Sequence, residues 1–370
     1  MKSKVYFADM HCRKQEDNKA AKIEKLCQAI GLNSIIKRDD LTAIKLHFGE
    51  MGNDTHIRPQ LVRKVVDLVK QEKAKPFLTD TTTLYSGSRR NAVNHLNTAY
   101  AHGFAPCTVN APVIIADGLN GLSQIDVPVN LRHFKETHIA REIHDADSMV
   151  VLSHVKGHEM AGFGGAIKNL AMGCASFWGK RDQHQTKVSI NKEICIGCAS
   201  CAKVCPAHTI SMAKDENGKK TAHADPGKCI GCFECITVCG PKAITAEWET
   251  ELYAFVERIA EYAYGAVQNK KEKVIYINFV LNVTPDCDCV AWSDAPLVAD
   301  IGILASTDPV AIDKASYDLV TKAQSLIPME NNGIGIDKFT RQWGYTHGYH
   351  QIEHAAEIGL GSLDYELINI

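Results

Sequence analysis

The chain has 370 residues, 45% hydrophobic and 23% charged, which is room for about two domains and a sizeable core. Its formal net charge of −2 gives no case for nucleic acid or a membrane surface, and no run approaches the roughly 20 apolar residues of a spanning helix. The first residues hold too short an apolar stretch for a signal-peptide core. Fourteen cysteines in such a chain point to metal or redox chemistry in the cytoplasm, not to a disulfide framework.

In chain order, residues 4–10 read as a strand through Val5, Tyr6 and Phe7. A helix is expected over 18–30, with Ala21, Ile23, Leu26, Ala29 and Ile30 at near-helical spacing and Gly31 as its C-terminal cap. A strand over 41–46 leads to His47 and Glu50. Pro59 suits the first turn of a helix whose apolar face is Leu61, Val62, Val65, Val66, Leu68 and Val69. A strand at 75–79 ends at Asp80, a helix at 91–102 stops at Gly103, and a strand at 113–115 ends at Asp117. Residues 136–146 read as helix, and 148–152 as a strand ending at Ser153 and His154. Beyond the cysteine-rich stretch the pattern resumes: helix 251–267, strands 273–282 and 298–304, then a helix from Pro309 capped by Asp308. The tail over 333–370 is rich in Gly, His and Tyr and gives only a weak pattern.

This alternation predicts an α/β fold, a mostly parallel sheet with helices on both faces, interrupted by an inserted module. Residues 1–185 and 247–370 would form the discontinuous α/β domain and 186–246 a ferredoxin-like domain. Within the insert, Cys195, Cys198, Cys201 and Cys205, then Cys229, Cys232, Cys235 and Cys239, repeat C-x2-C-x2-C-x3-C. That is the spacing of bacterial two-cluster ferredoxins, in which the fourth cysteine of each run serves the other cluster. Cys195, Cys198, Cys201 and Cys239 are therefore assigned to one [4Fe–4S] cluster, and Cys229, Cys232, Cys235 and Cys205 to the other. Zinc is the competing metal, but its structural sites use paired hooks that close a single tetrahedron. Eight lysines stand against five acids from Lys187 to Lys242, a face suited to steering an acidic redox partner such as a small soluble ferredoxin, or simply a solvated one.

Ligands of open α/β sheets sit beyond the carboxyl ends of the strands. The residues expected there are His47 and Glu50, Asp80, Asp117, His154 with His158, Cys287 with Cys289, and Asp308. Histidines suit proton transfer or metal binding, although a hydrogen-bonded structural role is the plain alternative, and aspartate is also a common turn and cap residue. The run from Gly157 to Asn169 follows a strand and is expected to open a helix. Gly162, Gly164 and Gly165 would let the backbone approach a cofactor or anion, with Lys168 adding charge; tight packing is the alternative. Cys287 and Cys289 lie one residue apart, where side chains of an extended segment diverge, so a metal or one reactive thiol is expected in place of a disulfide. Cys174 reads as a third thiol or a buried apolar residue, and Cys12, Cys27 and Cys107 as packing residues or spectators.

The stretches KLHFGE at 45–50, LTDT at 78–81, IADGL at 115–119, SHVKGHEMAGFGGAIKNLAMG at 153–173, NVTPDCDC at 282–289 and DIGILASTDPVAID at 300–313 carry a resemblance. The chain resembles an uncharacterised iron–sulfur family, a domain of unknown function with a ferredoxin insert. That resemblance implies the fold and the clusters but no reaction. Its one departure is Gly240 after Cys239, where Pro206 follows Cys205. The stretch ending at Lys168 is also similar to Ala-Gly-Tyr-Ser-Gly-Gly-x-Lys of the nickel-pincer lactate racemase family, whose lysine region holds a tethered pyridine-derived cofactor beside a metal. The expectation is an iron–sulfur oxidoreductase passing electrons through two [4Fe–4S] clusters to a cleft lined by His47, His154, His158, Lys168, Cys287 and Cys289. A flavin, a third metal centre or an anionic small-molecule substrate would occupy the cleft. A non-catalytic electron carrier or scaffold is the alternative.

Overall fold

In the computed structural model, all residues are described except Met1, Ser86, Thr186, Asp215, Ile230 and 248–250; Thr186, the start expected for the insert, is among those left out. Eight strands build the central sheet: β1 (Ser3–Asp9), β2 (Leu41–Lys45), β3 (Lys75–Asp80), β4 (Val113–Ile115), β5 (Ser148–His154), β6 (Val274–Val280), β7 (Gly302–Ser306) and β8 (Tyr365–Asn369). Their spatial order is β8-β1-β7-β6-β5-β2-β3-β4. All neighbours are parallel except β7, which runs antiparallel to both β1 and β6.

Central strands bury both faces, so their apolar runs are continuous and each core takes alternate residues. On β5, Met149 and Val151 enter one core, Val150 and Leu152 the other. The first core holds helices α4 (Ala166–Cys174), α5 (Leu252–Val267) and α6 (Pro309–Lys322). The second holds α1 (Lys19–Ala29), α2 (Pro59–Gln71) and α3 (Ala92–Ala101). The expected caps are present: Asp308 accepts from Val310 and Ala311 N–H, and Gly31 is left-handed at φ +76°. The Asn18 side chain adds a cap of its own, accepting from Ala21 N–H.

Two expected elements change. Residues 136–146 are not one helix: Glu136–Ala140 is a strand paired with Gln124–Pro128, and only Arg141–Asp145 is helical. Thr137, Ile139 and Ala140 are buried there, and the β-branched Thr137 and Ile139 suit the strand. The strand expected at 298–304 begins at Gly302, because Val298 turns aside to bridge Ser325.

The insert leaves and rejoins through one pairing, Lys187–Ile190 against Ile244–Glu247, and carries a second, Ile210–Lys214 against Lys220–Ala224. It has a small core of its own around Val188, Ile210, Ala222 and Ile244. The carboxyl ends of β2, β3, β5 and β6 share one side of the sheet. Asp308, expected with them, follows the antiparallel β7 and so lies at the opposite side, where it accepts from Ser3 Oγ and Ser362 N–H.

Candidate active site at the strand ends

The loop after β6 turns sharply at Cys287, whose carbonyl accepts from Val290 N–H at 3.1 Å. This turn, not an extended segment, sets the directions of Cys287 and Cys289, and it corrects the expectation that their side chains diverge. Gly157 makes the close approach of the neighbouring hairpin possible: a Cβ there would stand 2.1 Å from the Pro285 carbonyl oxygen. As a result, ligand atoms of His158, Cys287 and Cys289 lie within 4.8 Å of one another and could hold a metal ion. Lys168 Nζ is 3.8 Å from Cys287 Sγ. The Cys289 thiol as donor, then Lys168 and Lys156 against the effect of burial, hold Cys287 well below the usual thiol range. Cys289, bonded to that sulfur and buried, is pushed up.

The thiols suit a soft metal, but the imidazole as bonded does not. His158 Nδ1 accepts from Met160 and Ala161 N–H at 3.0 and 3.1 Å, so the neutral ring carries its proton on Nε2, facing Cys289 Sγ at 4.0 Å. Burial, then Lys168, keeps the ring neutral by lowering its pKa. Metal-bound histidines donate from the nitrogen that does not bind the metal, the reverse of this arrangement. His158 is placed to hydrogen-bond a sulfur.

His154 is near but engaged: Nδ1 meets Asp288 at 2.8 Å and Nε2 meets the carbonyls of Leu281 and Asn282 at 2.8 and 3.1 Å. Both ring nitrogens face oxygens, so it anchors the loop and offers no lone pair. Asp288 also meets Lys156 Nζ at 3.3 Å, and His154 with Lys156 outweighs burial to depress its pKa. His47 accepts from Gly49 N–H at 3.0 Å and stays outside the thiol group. Burial, then Arg89, lowers its pKa.

A charge network lies behind the thiols. Lys45 Nζ meets Asp80 at 3.0 Å, Arg89 reaches Glu50 at 3.1 Å and Tyr85 Oη at 2.5 Å, and Tyr85 Oη donates to the Cys289 carbonyl at 2.9 Å. Asp80 thus belongs to this network, and Asp117 binds Thr82 through N–H and Oγ1. The sequence reading missed Tyr85, Arg89 and Asp288. Only Asp288, enclosed by the two cysteines, carried a positional hint.

The glycine run is a small hairpin (Lys156–His158 with Gly162–Gly164) before α4. The first-turn N–H groups of Ala166 and Ile167 already meet Asp313 at 2.7 and 2.9 Å, which corrects the expected anion site. Gly165 makes room for that carboxylate, Gly162 (φ +69°) for the backbone of Gly348, and Gly164 lies against Lys156 and Lys168. Cys174 and Cys27 are buried thiols pushed up to about 11 and about 12, while Cys12 and Cys107 are exposed.

In the insert, Cys195, Cys198, Cys201 and Cys239 line one small cavity with Ile196, Val238 and Pro241. This is the quartet that the two-run spacing assigns to one cluster, and Gly240 does not displace Cys239. Gly197 and Ala199, and at the matching places Gly231 and Phe233, are left-handed, so both runs curl alike. Backbone N–H groups of Ala222, Thr209 and Ala243 meet Cys195, Cys205 and Cys239 sulfurs at 3.5, 3.4 and 3.2 Å, as ligand thiolates require. Burial, then Cys232, Cys229, Cys201 and Cys205, pushes the Cys235 thiol up to about 12, so thiolates crowded here need a cationic partner. The residues fit iron–sulfur clusters.

The two quartets are placed differently. Cys232 is 6% exposed and packs on Leu84 and Phe177 of the α/β body, with Trp178 alongside. Arg90 stacks over Phe177 at 4.8 Å and reaches Glu234 at 3.5 Å, tying insert to body.

No curated protein matches the chain. Among solved structures, the lactate racemase apoprotein from Thermoanaerobacterium thermosaccharolyticum shares 12% identity at a TM-score of 0.44, over 87% of this chain and 58% of that one. A protein from Thermotoga maritima shares 11% at 0.39, over 79% and 57%. The chain thus spans less than two thirds of either, and neither likeness says what it does. A family described as Domain of unknown function (DUF362) matches residues 42–318, most of the chain, and the protein belongs to that family.

Proposed function

We propose that the protein is an iron–sulfur oxidoreductase whose ferredoxin cysteines hold two [4Fe–4S] clusters and whose body conducts electrons to a ligand or redox cofactor at Cys287 and Cys289. When bound, such clusters supply one-electron transfer at potentials set by burial and hydrogen bonds to sulfur. One observation carries this reading: Leu84 shares one buried apolar cluster with Cys232 and Phe177, and the adjacent Tyr85 bonds the Cys289 carbonyl. Two consecutive residues therefore span from a cluster ligand to the thiol centre. Here Lys168 and Lys156 stabilise the Cys287 thiolate, His158 directs its Nε2–H at Cys289, and Asp288 with His154 fixes the loop. Anaerobically reconstituted protein is expected to hold about eight iron and about eight sulfide per chain. A colourless protein, or one with about four iron, overturns the two-cluster assignment.

A second reading rests on Lys168 beside Cys287, at the place matching the lysine of the nickel-pincer racemases. There Lys168 would carry a tethered cofactor beside a thiolate-bound metal. Intact mass separates the two readings, since an adduct abolished by Lys168→Arg supports only the second.

A further inference from the structure

The two cysteine quartets differ in what covers them. Around Cys232, among the described residues, Leu84 and Phe177 of the α/β body cover the surface. Around the other quartet Cys198 is exposed, Ile196 is 69% exposed, and Val238 on the same cavity is exposed as well. Exposed apolar residues gathered at one rim with polar residues around them mark an interaction site. Exposed lysines frame them. Lys203 lies within electrostatic reach of Cys198, and the Lys220 backbone crosses Gly197 so closely that a Cβ there would stand 2.4 Å from its carbonyl oxygen.

From this asymmetry we infer that the face around Cys198, Ile196 and Val238, with Lys203 and Lys220 at its edge, docks a small acidic one-electron carrier protein. The inference rests on the proposed cluster-bearing function and gives it an entry point. A short-lived electron-transfer encounter needs what this face offers: a small apolar contact over the redox centre and a charged rim that steers approach. In the step itself the carrier is oxidised by one electron and the cluster of Cys195, Cys198, Cys201 and Cys239 is reduced by one; no bond forms and no proton moves. The covered side at Cys232, Leu84 and Tyr85 would then be the way toward the body.

Stopped-flow reduction of the holoprotein tests this, with a photoreduced small acidic [2Fe–2S] ferredoxin as probe and dithionite as the non-docking control. The ferredoxin rate is expected to fall steeply with added salt in the unaltered protein. Lys203→Glu with Lys220→Glu is expected to slow it about tenfold or more at low salt and flatten the salt dependence. Lys203→Arg with Lys220→Arg, and Lys75→Glu at the far end of the sheet, should retain the original rate. Dithionite reduction should not change in any of them. A wild-type rate that is constant or rises with salt overturns the inference even if the double variant fails to fold. So does an unchanged rate in a double variant with full iron content. If dithionite bleaches nothing because no clusters are present, the proposed function itself has failed, and the docking inference with it.

Discussion

The insert and the α/β body both bury cysteines, for opposite reasons. In the insert, Cys195, Cys201, Cys205 and Cys235 are four of the nine buried core members among the described residues, the rest being Val188, Ile210, Ala222, Ala243 and Ile244. A core of that size is marginal for some sixty residues, so a group bound by the cysteines would add much of its stability. In the body, Cys174 is one apolar residue among many and Cys287 sits on a loop, so the core there does not rest on its cysteines. The difference teaches where stability and chemistry coincide. In the insert the cysteines that would do the chemistry also hold the fold; in the body the site can change while the fold stays.

Stripping iron with a chelator is the strongest way to break that comparison. Hydrogen exchange is expected to show Lys187–Ile190, Ile210–Lys214 and Lys220–Ala224 losing their protection almost completely, while Ser148–His154 and Val274–Val280 keep theirs. If the body opens together with the insert, the two are one cooperative unit and the contrast is wrong.

Asp80→Asn probes the body in the same way. Lys45 is fully buried, and its partners are Asp80 at 3.0 Å, Asn169 Oδ1 at 2.7 Å and the Leu46 carbonyl. Burial pushes the Asp80 carboxyl up, but Lys45, His95 and Arg89 together hold it below the usual range. Removing that charge leaves Lys45 and Arg89 poorly compensated, at a cost of about 3–5 kcal/mol. Urea unfolding followed by the body's far-ultraviolet signal checks the loss, and iron content per folded chain should stay constant.

Legibility in the sequence followed the same division. The grouping of Cys195, Cys198, Cys201 and Cys239 at one cavity was readable because three of the four recur at short, fixed spacing and only one long-range partner is needed. Strands such as β5 and helices such as α2 were readable because their apolar residues keep period. The thiol centre was half readable. Its members stood at strand ends, but the turn that aims both sulfurs inward depends on the close approach of Gly157 to Pro285, about 130 residues apart in sequence. Nothing local showed that Asp313 would cap α4 and use up its N–H groups, nor that Tyr85 would reach Cys289. Residues 136–146 misled because Ala140 to Ala146 is helix-like in composition, while burial of Thr137 and Ile139 beside the strand Gln124–Pro128 decides the conformation.

The smallest expected effect concerns the seam between the two regions. Phe177, which covers Cys232, opens the helix Phe177–His184, and that helix is tied to the body through His138. His138 Nδ1 meets Asp126 at 2.6 Å, Nε2 meets Asp182 at 3.4 Å, and Tyr262 Oη shares Asp182. Asp182 first, then Asp126, raises the ring's pKa from 6.5 to about 9 against the effect of burial. A group whose pKa is raised on folding stabilises fully below its unfolded value and loses that contribution as pH rises through the folded one. The tie is therefore complete below about pH 6.5 and released above about pH 9. Wild type should exceed His138→Gln in Tm at about pH 6, with the gap narrowing by about pH 10. Partial exposure of the ring keeps the whole effect near 1 kcal/mol or below. A gap of equal size at both pH values would mean that the ring holds the helix by shape alone, and that the seam beside Cys232 does not respond to protons.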